Sequence, residues 1–508
     1  MIVCLALGPP MSELRQETPE RLRAVAGRAA LAAAVLLTIA GCAIVPQESP
    51  SALPFAVPPA WSGEMSVAAP GDTRSLAQWW QRFDDPLLAR LVEDALRANT
   101  DVASAEAAVR QARAARDVAA AALLPFVSGS ASAARSSAGG RSLGNSFRAG
   151  LDASWELDIF GENRAGLNAS EAALGASAAT LGNVQVSIAA EVALDYITLR
   201  GTQARYAIAQ SNLETQVETL QITEWRVQAG LATSLDEEQL RSGVEQTRAL
   251  LPALNTAIEQ TRHALAVLTG KPPAALTAEL AATGPIPKAP DTLAVSFPAE
   301  TLRQRPDVRA AEYQVSAAMA RVTQADAARY PNFKIGGTLG LASVTLGALT
   351  SGSSVLTSLL ANMSVPIFEG GALLAQVRGQ QAALDQAHSA YEAAVLQALR
   401  DVEDALVALR GDRDRLAHLQ IAAESAANAS LLARDRYSTG LVDFQTVLDT
   451  LRNQLTTQES VANAMTDLGN DYVRLYKALG GGWTPGGAEA VAAVSSNNAS
   501  PSSAAGKT

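Results

Sequence analysis

Asn99 to Phe126 reads "NTDVASAEAAVRQARAARDVAAAALLPF", and Arg305 to Phe333 reads "RPDVRAAEYQVSAAMARVTQADAARYPNF". At an offset of 206 positions, Asp101, Val102, Ala105, Glu106, Val109, Ala112, Ala119 and Pro125 fall on Asp307, Val308, Ala311, Glu312, Val315, Ala318, Ala325 and Pro331. Further along, Ile159-Phe160 answers Ile367-Phe368, Leu199-Arg200-Gly201 answers Leu409-Arg410-Gly411, Arg226 answers Arg436, Gly230-Leu231 answers Gly440-Leu441, and Gly270 answers Gly480. The chain is therefore a tandem duplication, and each unit is too long to be a solenoid repeat, so the two are halves of one domain. Repeat 1 runs over 79–284 and repeat 2 over 301–483, joined by a Pro-rich linker at 285–300. The Ala/Ser/Asn/Gly-rich tail, 484–508, cannot build a core and reads as disordered.

Each unit orders as one helix, a β-hairpin, a very long helix, a tight turn and a long helix. Asp85-Pro86 supplies an N-cap followed by proline at the first helical position, and Pro125 or Pro331 ends the opening helix of its unit. The hairpins fall at 126–159 and 332–367. The long helices fall at 162–229 and 232–269 in repeat 1, and at 370–439 and 442–479 in repeat 2. No proline interrupts Asn163 to Leu251 or Ile367 to Thr484, and both runs are rich in Ala, Leu, Gln, Glu and Arg, which favour helix. A helix over 162–229 measures roughly 100 Å at 1.5 Å per residue, a length no compact globular domain needs. Heptad spacing along these helices, at Val395, Leu399, Val402, Leu406, Leu409 and Leu416 and at Leu251, Ile258, Leu265 or Leu441, Leu448, Leu455, predicts coiled-coil seams.

The hairpins decide what such helices serve. Phe147, Ala149, Leu151, Ala153, Trp155, Leu157 and Ile159 alternate with Ser146, Arg148, Gly150, Asp152, Ser154, Glu156 and Asp158, a period of two without a break. "VSGSASA" before it alternates with small residues, and the second unit repeats the pattern at Phe333, Ile335, Leu339 and Leu341 and at Val355, Leu359, Met363 and Val365. Strands of about ten residues with one apolar and one polar face match the transmembrane barrel strand. Four strands cannot close a barrel, since the smallest single-chain barrels use eight. Open sheet edges in lipid leave backbone groups unpaired at several kcal/mol each, so membrane strands here require subunits that pool them.

The N-terminus agrees with a membrane destination. Arg21, Arg23 and Arg28 precede an apolar core from Ala29 to Ala40, which is too short to span a bilayer but has the order of a secretory signal, covering 1–41 and reading cleanly from Met11. Ile39-Ala40-Gly41-Cys42 resembles the bacterial lipobox, with cleavage between Gly41 and Cys42 and a covalent lipid on Cys42. Ala43 after the cysteine implies outer-membrane sorting within the lipoprotein family. Residues 42–78 are then a lipidated extended segment, Pro-rich at its start. Acyl chains contribute about 0.8 kcal/mol per buried methylene, and more than one chain makes the anchorage stable.

Removing 1–41 takes away four arginines and three glutamates, leaving 36 basic against 47 acidic residues, a balance that argues against nucleic-acid binding. Cys4 leaves with the signal, so the mature chain has Cys42 alone and no internal disulfide, thiolate metal cluster or catalytic cysteine. His263, His388 and His418 are too far apart for a helical metal pair, no Gly-x-Ser-x-Gly elbow occurs, and Gly270-Lys271 is followed by proline rather than completing a phosphate loop. No enzyme, resident metal or cofactor is expected.

"WWQRFDDPLLARLVEDAL" (79–96), "WELDIFG" (155–161), "RPDVRAAE" (305–312), "VPIFEGG" (365–371), "RYSTGLVDFQTVLD" (436–449) and "YKALGGGW" (476–483), together with the lipobox, resemble the outer-membrane efflux proteins of the TolC superfamily, especially its OprM-like and NodT-like lipoproteins. The resemblance implies a mixed α/β membrane protein, a homotrimer whose four strands per chain pool into one transmembrane β-barrel, continued by a barrel of long helices across the periplasm. It implies an outer-membrane exit duct, working with a periplasmic adaptor and an inner-membrane transporter of the resistance-nodulation-division class, which mainly selects the substrate. By position it makes Asp443, Gln445 and Asp449 the constriction candidates, Gly230 and Gly440 the tips, and Arg436 and Tyr437 the latch candidates. Val442 stands where some related ducts carry arginine. A coiled-coil lipoprotein scaffold with soluble hairpins and a type I secretion duct are the alternatives; the lipobox and "YKALGGGW" favour the pump-linked branch.

Overall fold

The computed structural model describes residues 55–62, 76–136, 144–288 and 298–484, all within one compact unit, Ser51–Thr508. The signal, Gly41, Cys42 and the tail beyond residue 484 lie outside the described residues.

The opening helix of each unit is two helices rather than one. In repeat 1, α1 (Pro86–Ala98) is followed by α2 (Thr100–Ala121), and Asn99 between them has ψ 137°. Its side chain accepts from the amides of Asp101 and Val102, at 2.8 and 3.4 Å, and donates through Nδ2 to the Leu268 carbonyl at 3.0 Å. An asparagine cap thus ends one helix by starting the next. In repeat 2, α5 (Pro298–Gln304) breaks before α6 (Pro306–Ala327), because the residue ahead of a proline is driven out of the helical region, and Arg305 sits at ψ 125°. The Asp85 cap is present as expected, accepting from Leu87 and Leu88 at 2.9 and 3.1 Å.

Strands β1 (Phe126–Ser136), β2 (Gly144–Leu157), β3 (Asn332–Ser343) and β4 (Val355–Ser364) form one antiparallel sheet in sequence order. The two hairpins join through β2 and β3, where Ala149 faces Leu341, Leu151 faces Leu339 and Trp155 faces Ile335. Directly opposed residues share a face. One face therefore gathers Trp155, Ile335 and Ala361, then Leu157, Phe333 and Met363. The other gathers Asp152, Thr338 and Ser358, with Ser130 donating to Asp152 at 2.8 Å and Lys334 paired to Glu156 at 3.2 Å. Leu356 and Leu360 of β4 break the pattern by standing on the polar face. Among the described residues no helix is long and apolar enough to cross a membrane.

The long helices are α3 (Glu162–Gln228) and α7 (Ala372–Ser438), each of 67 residues, and α4 (Ser234–Leu268) and α8 (Phe444–Ala478), each of 35. Identical lengths in the two halves are the duplication expressed as structure. The heptad positions Val395, Val402, Leu406 and Leu409 are buried, as are Ile258, Leu265 and Leu448. Leu441 is not: it is 75% exposed, because α7 ends at Ser438 and α8 begins at Phe444, so Leu441 lies in the turn and outside any seam. The main core is collected around Tyr196 on α3 and Tyr476 on α8. Trp79 stacks on Tyr476 with ring centroids 5.3 Å apart, and Tyr196 donates its hydroxyl to Asp85 at 2.8 Å.

The repeat partners Gly201 and Gly411 show how the halves differ in packing. A Cβ on Gly201 would come within 2.1 Å of Thr466 Oγ1 and 3.1 Å of its Cβ, whereas one on Gly411 would meet nothing within 4 Å. Gly201→Leu is expected to destabilise the α3–α8 pair by about 1–3 kcal/mol through overpacking, and Gly411→Leu to be neutral or to stabilise by less than about 1 kcal/mol through helix propensity. Thermal unfolding of the two variants checks the contrast.

Candidate functional site at the helix tips

Both long hairpins reverse by the same device. Gly230 (φ 73°) and Gly440 (φ 77°) adopt the left-handed conformation just past the ends of α3 and α7. Leu231 N donates to the Arg226 carbonyl at 2.7 Å and Leu441 N to the Arg436 carbonyl at 2.9 Å, the six-to-one bond of a Schellman cap. The following helices are capped by side chains. Thr233 and Asp236 form a reciprocal capping box on α4. On α8, Asp443 Oδ1 accepts from the Thr446 amide at 2.9 Å and its hydroxyl at 2.5 Å.

Of the candidate residues, Asp443, Gln445 and Asp449 are exposed on the first turns of α8. Asp443 serves as the cap, and the hydrogen bonds from Thr446 hold its carboxyl below the usual aspartate value. Asp449 accepts from Gln445 Nε2 at 3.0 Å. Tyr437 is buried and meets Phe444 edge-on at 5.9 Å, within an apolar cluster of Leu240, Ala433, Val447, Leu448 and Leu451 that ties α4, α7 and α8 together. Arg436 points its side chain outward and contributes its carbonyl to the turn.

The residue that joins the two tips is Arg226. Its guanidinium lies 4.4 Å from the Tyr437 ring centroid, and Nη1 donates to the Tyr437 carbonyl at 3.0 Å. It thus pairs a cation–π contact with a hydrogen bond between α3 and α7. Sequence reasoning took Arg436 as the latch arginine; the signal for Arg226 was its place as the repeat partner of Arg436.

Above the tips, α3 buries polar residues at helical spacing: Asn212, Gln216, Thr219 and Thr223. Asn212 donates to Gln458 of α8 at 2.8 Å, and Thr247 of α4 donates to Gln216 at 2.9 Å, while Thr219 and Thr223 bond back to their own helix. Satisfied polar layers hold a register but bind less strongly than apolar ones. The seam of α3 nearest the tips is thus a polar one.

A long helical hairpin pair ending in capped, acid-bearing tips, and a two-faced sheet at the opposite end of the same helices, are the parts of a membrane channel. The chain belongs to the outer membrane efflux protein family, whose model matches residues 91–271 and again 297–481, once in each repeat. It is 32% identical over 468 residues to the toluene efflux pump outer membrane protein TtgI of Pseudomonas putida, covering 88% of this chain and 97% of that one. It is also 32% identical over 450 residues to the pyoverdine export outer membrane protein OpmQ of Pseudomonas putida, covering 86% and 94%. Among solved structures, the outer-membrane channel OprN superposes with a TM-score of 0.79 at 34% identity, covering 86% of this chain and all of that one. The protein is an outer-membrane efflux channel.

Asp443→Ala removes the α8 cap and is expected to loosen the first turn of α8, read as faster amide exchange there with the rest of α8 unchanged. Because the folded-state pKa is depressed, this contribution is present above the ordinary aspartate value of 3.8 and is lost as pH falls through the lower folded value.

Proposed function

We propose that three copies of the chain close one twelve-stranded barrel in the outer membrane and form the exit duct of a tripartite pump, passing solutes handed over by a periplasmic adaptor and an inner-membrane transporter of the resistance-nodulation-division class. The observation that carries this reading is the sheet itself: four strands, one apolar face, and β1 and β4 each paired on one side only among the described residues. In lipid those edges require partners. The helices do the rest of the work, spanning roughly 100 Å from barrel to tips. Cys42 carries the acyl anchor that holds the N-terminus at the same membrane, and no cofactor takes part.

The tips are the gate. In the closed state Arg226 and Tyr437 hold the two hairpins together, and Asp443, Gln445 and Asp449 of three copies line the narrow end, where a ring of carboxylates favours cations. Opening separates α8 from α3 at the Asn212–Gln458 pair, while Gln216 stays bonded to Thr247 of α4. The substrate is set upstream. Equally similar relatives carry names for toluene and for pyoverdine, chemically unlike cargoes, which fits a duct that does not choose.

Single-channel recording of the purified protein in planar bilayers tests the gate. The wild type is expected to conduct little and Arg226→Ala to raise the open fraction at least several-fold, with cation selectivity reduced by Asp449→Asn. Absence of any conductance in both proteins, or release of a Cys42→Ala variant into the periplasm, would contradict the duct.

A further inference from the structure

Helices α7 and α8 repeat α3 and α4 residue for residue, with Ala372 and Phe444 answering Glu162 and Ser234, yet one contact between the two helices has changed in kind. In repeat 1 its places are held by Thr202 on α3 and Thr261 on α4. Their hydroxyls donate back to their own helices, to the Thr198 carbonyl at 2.8 Å and the Ala257 carbonyl at 2.9 Å. In repeat 2 the same places are Asp412 on α7 and Asp471 on α8. Two hydroxyls have become two carboxyls.

Asp471 is 1% exposed. Its Oδ1 accepts from Arg474 Nη1 at 2.9 Å, while its Oδ2 is buried without a hydrogen-bond partner. The side chain that faces it from α7 is the Asp412 carboxyl. Arg415 fixes the register there: its Nη1 lies 3.5 Å from Asp412 and 3.2 Å from Asp467, one turn before Asp471 on α8. Ionised carboxylates only accept hydrogen bonds, so two in contact repel, and a buried one has no water to turn to. One proton between them relieves both.

The neighbouring charges leave that place to a proton. Arg305 is engaged by Asp307, Asp401 and the Ala478 carbonyl. Asp404 of α7 and Lys477 of α8 line the same cavity as Asp471, and α3 adds only Asn183 and Val186 to it. The cavity measures about 470 Å³, which gives water, and so a proton, access beside Asp471.

We propose that Asp412 and Asp471 form a proton-operated clasp at the root of the α7–α8 hairpin, closed when one proton is shared between them and loosened when both are ionised. The clasp lies within one chain and stands or falls independently of the three-copy duct. Burial first, and then Asp412, pushes the Asp471 carboxyl up to about 6 from the ordinary 3.8. The closed clasp therefore holds its proton more tightly than the opened one. Closure is favoured as pH falls from about 6 toward 3.8, and that contribution is lost as pH rises through about 6. Mild acid pins the end of α8 to α7; neutral pH leaves the pair to its apolar seam. Asp195 on α3 is also raised to about 6, by burial and by Glu191, and serves as the control in the same window.

Asp471→Asn replaces the shared proton with an amide N–H that donates to Asp412 at every pH. Infrared titration of the detergent-extracted wild type is expected to show protonated carboxyl lost near pH 6, with Asp471→Asn and Asp195→Asn each removing part of that signal. Amide exchange in the last turns of α8, referred to unstructured-peptide rates, is expected to slow about tenfold from about pH 7.5 to about pH 5 in the wild type and in Asp195→Asn. In Asp471→Asn it is expected to stay at the slow level throughout. Asp412→Thr with Asp471→Thr, the repeat 1 pair, is expected to keep the native mass and helix content but lose the pH dependence. An infrared loss near pH 6 undiminished in Asp471→Asn, or α8 exchange that follows pH alike in the wild type and Asp471→Asn, would overturn the clasp whatever the number of chains in the particle.

Discussion

A backbone N–H or C=O facing hydrocarbon has no water to bond, and the rest of this molecule is organised around that constraint. The sheet of β1 to β4 satisfies its interior ladders within the chain, including the β2–β3 junction that fuses the two hairpins. It leaves the outer edges of β1 and β4, at several kcal/mol per unpaired group in lipid. A chain with this sheet is incomplete by construction.

Each half contributes one 67-residue and one 35-residue helix, so every long helix has a shorter partner beside it toward the tips. Midway along α3 the packing is close and apolar, with Gly201 against Thr466 and Tyr196 and Tyr476 fully buried. Toward the tips it changes to amide and hydroxyl pairs at Asn212, Gln216 and Thr247. The seam of α3 thus passes from apolar to polar within one continuous helix.

Much of this is written locally in the sequence. Asp85-Pro86, the tip glycines and the alternation from Phe147 to Ile159 each state their own geometry, since caps, left-handed turns and period-two faces depend on a few adjacent residues. The alanine-rich flanks of Asn99 read as continuous helix, and the break rests on its local cap bonds to the Asp101 and Val102 amides together with the bond to the Leu268 carbonyl, 169 residues away. Leu441 kept the heptad spacing but fell in the turn, which spacing alone does not reveal. At the tips, Asp443 read as a constriction residue is also the cap of α8, and Arg226 rather than Arg436 meets Tyr437. These roles depend on which faces two distant hairpins present to each other, and that is decided by packing across the whole length of α3.

The measurement that bears most directly on the account is hydrogen exchange of the detergent-extracted native particle, with its mass determined on the same preparation. A mass of three chains, with the amides of β1 and β4 protected as strongly as those of β2 and β3, is what pooled strands predict. A single chain, or a trimer in which the β1 and β4 edges exchange freely while β2 and β3 do not, would contradict the closed barrel on which everything else here depends.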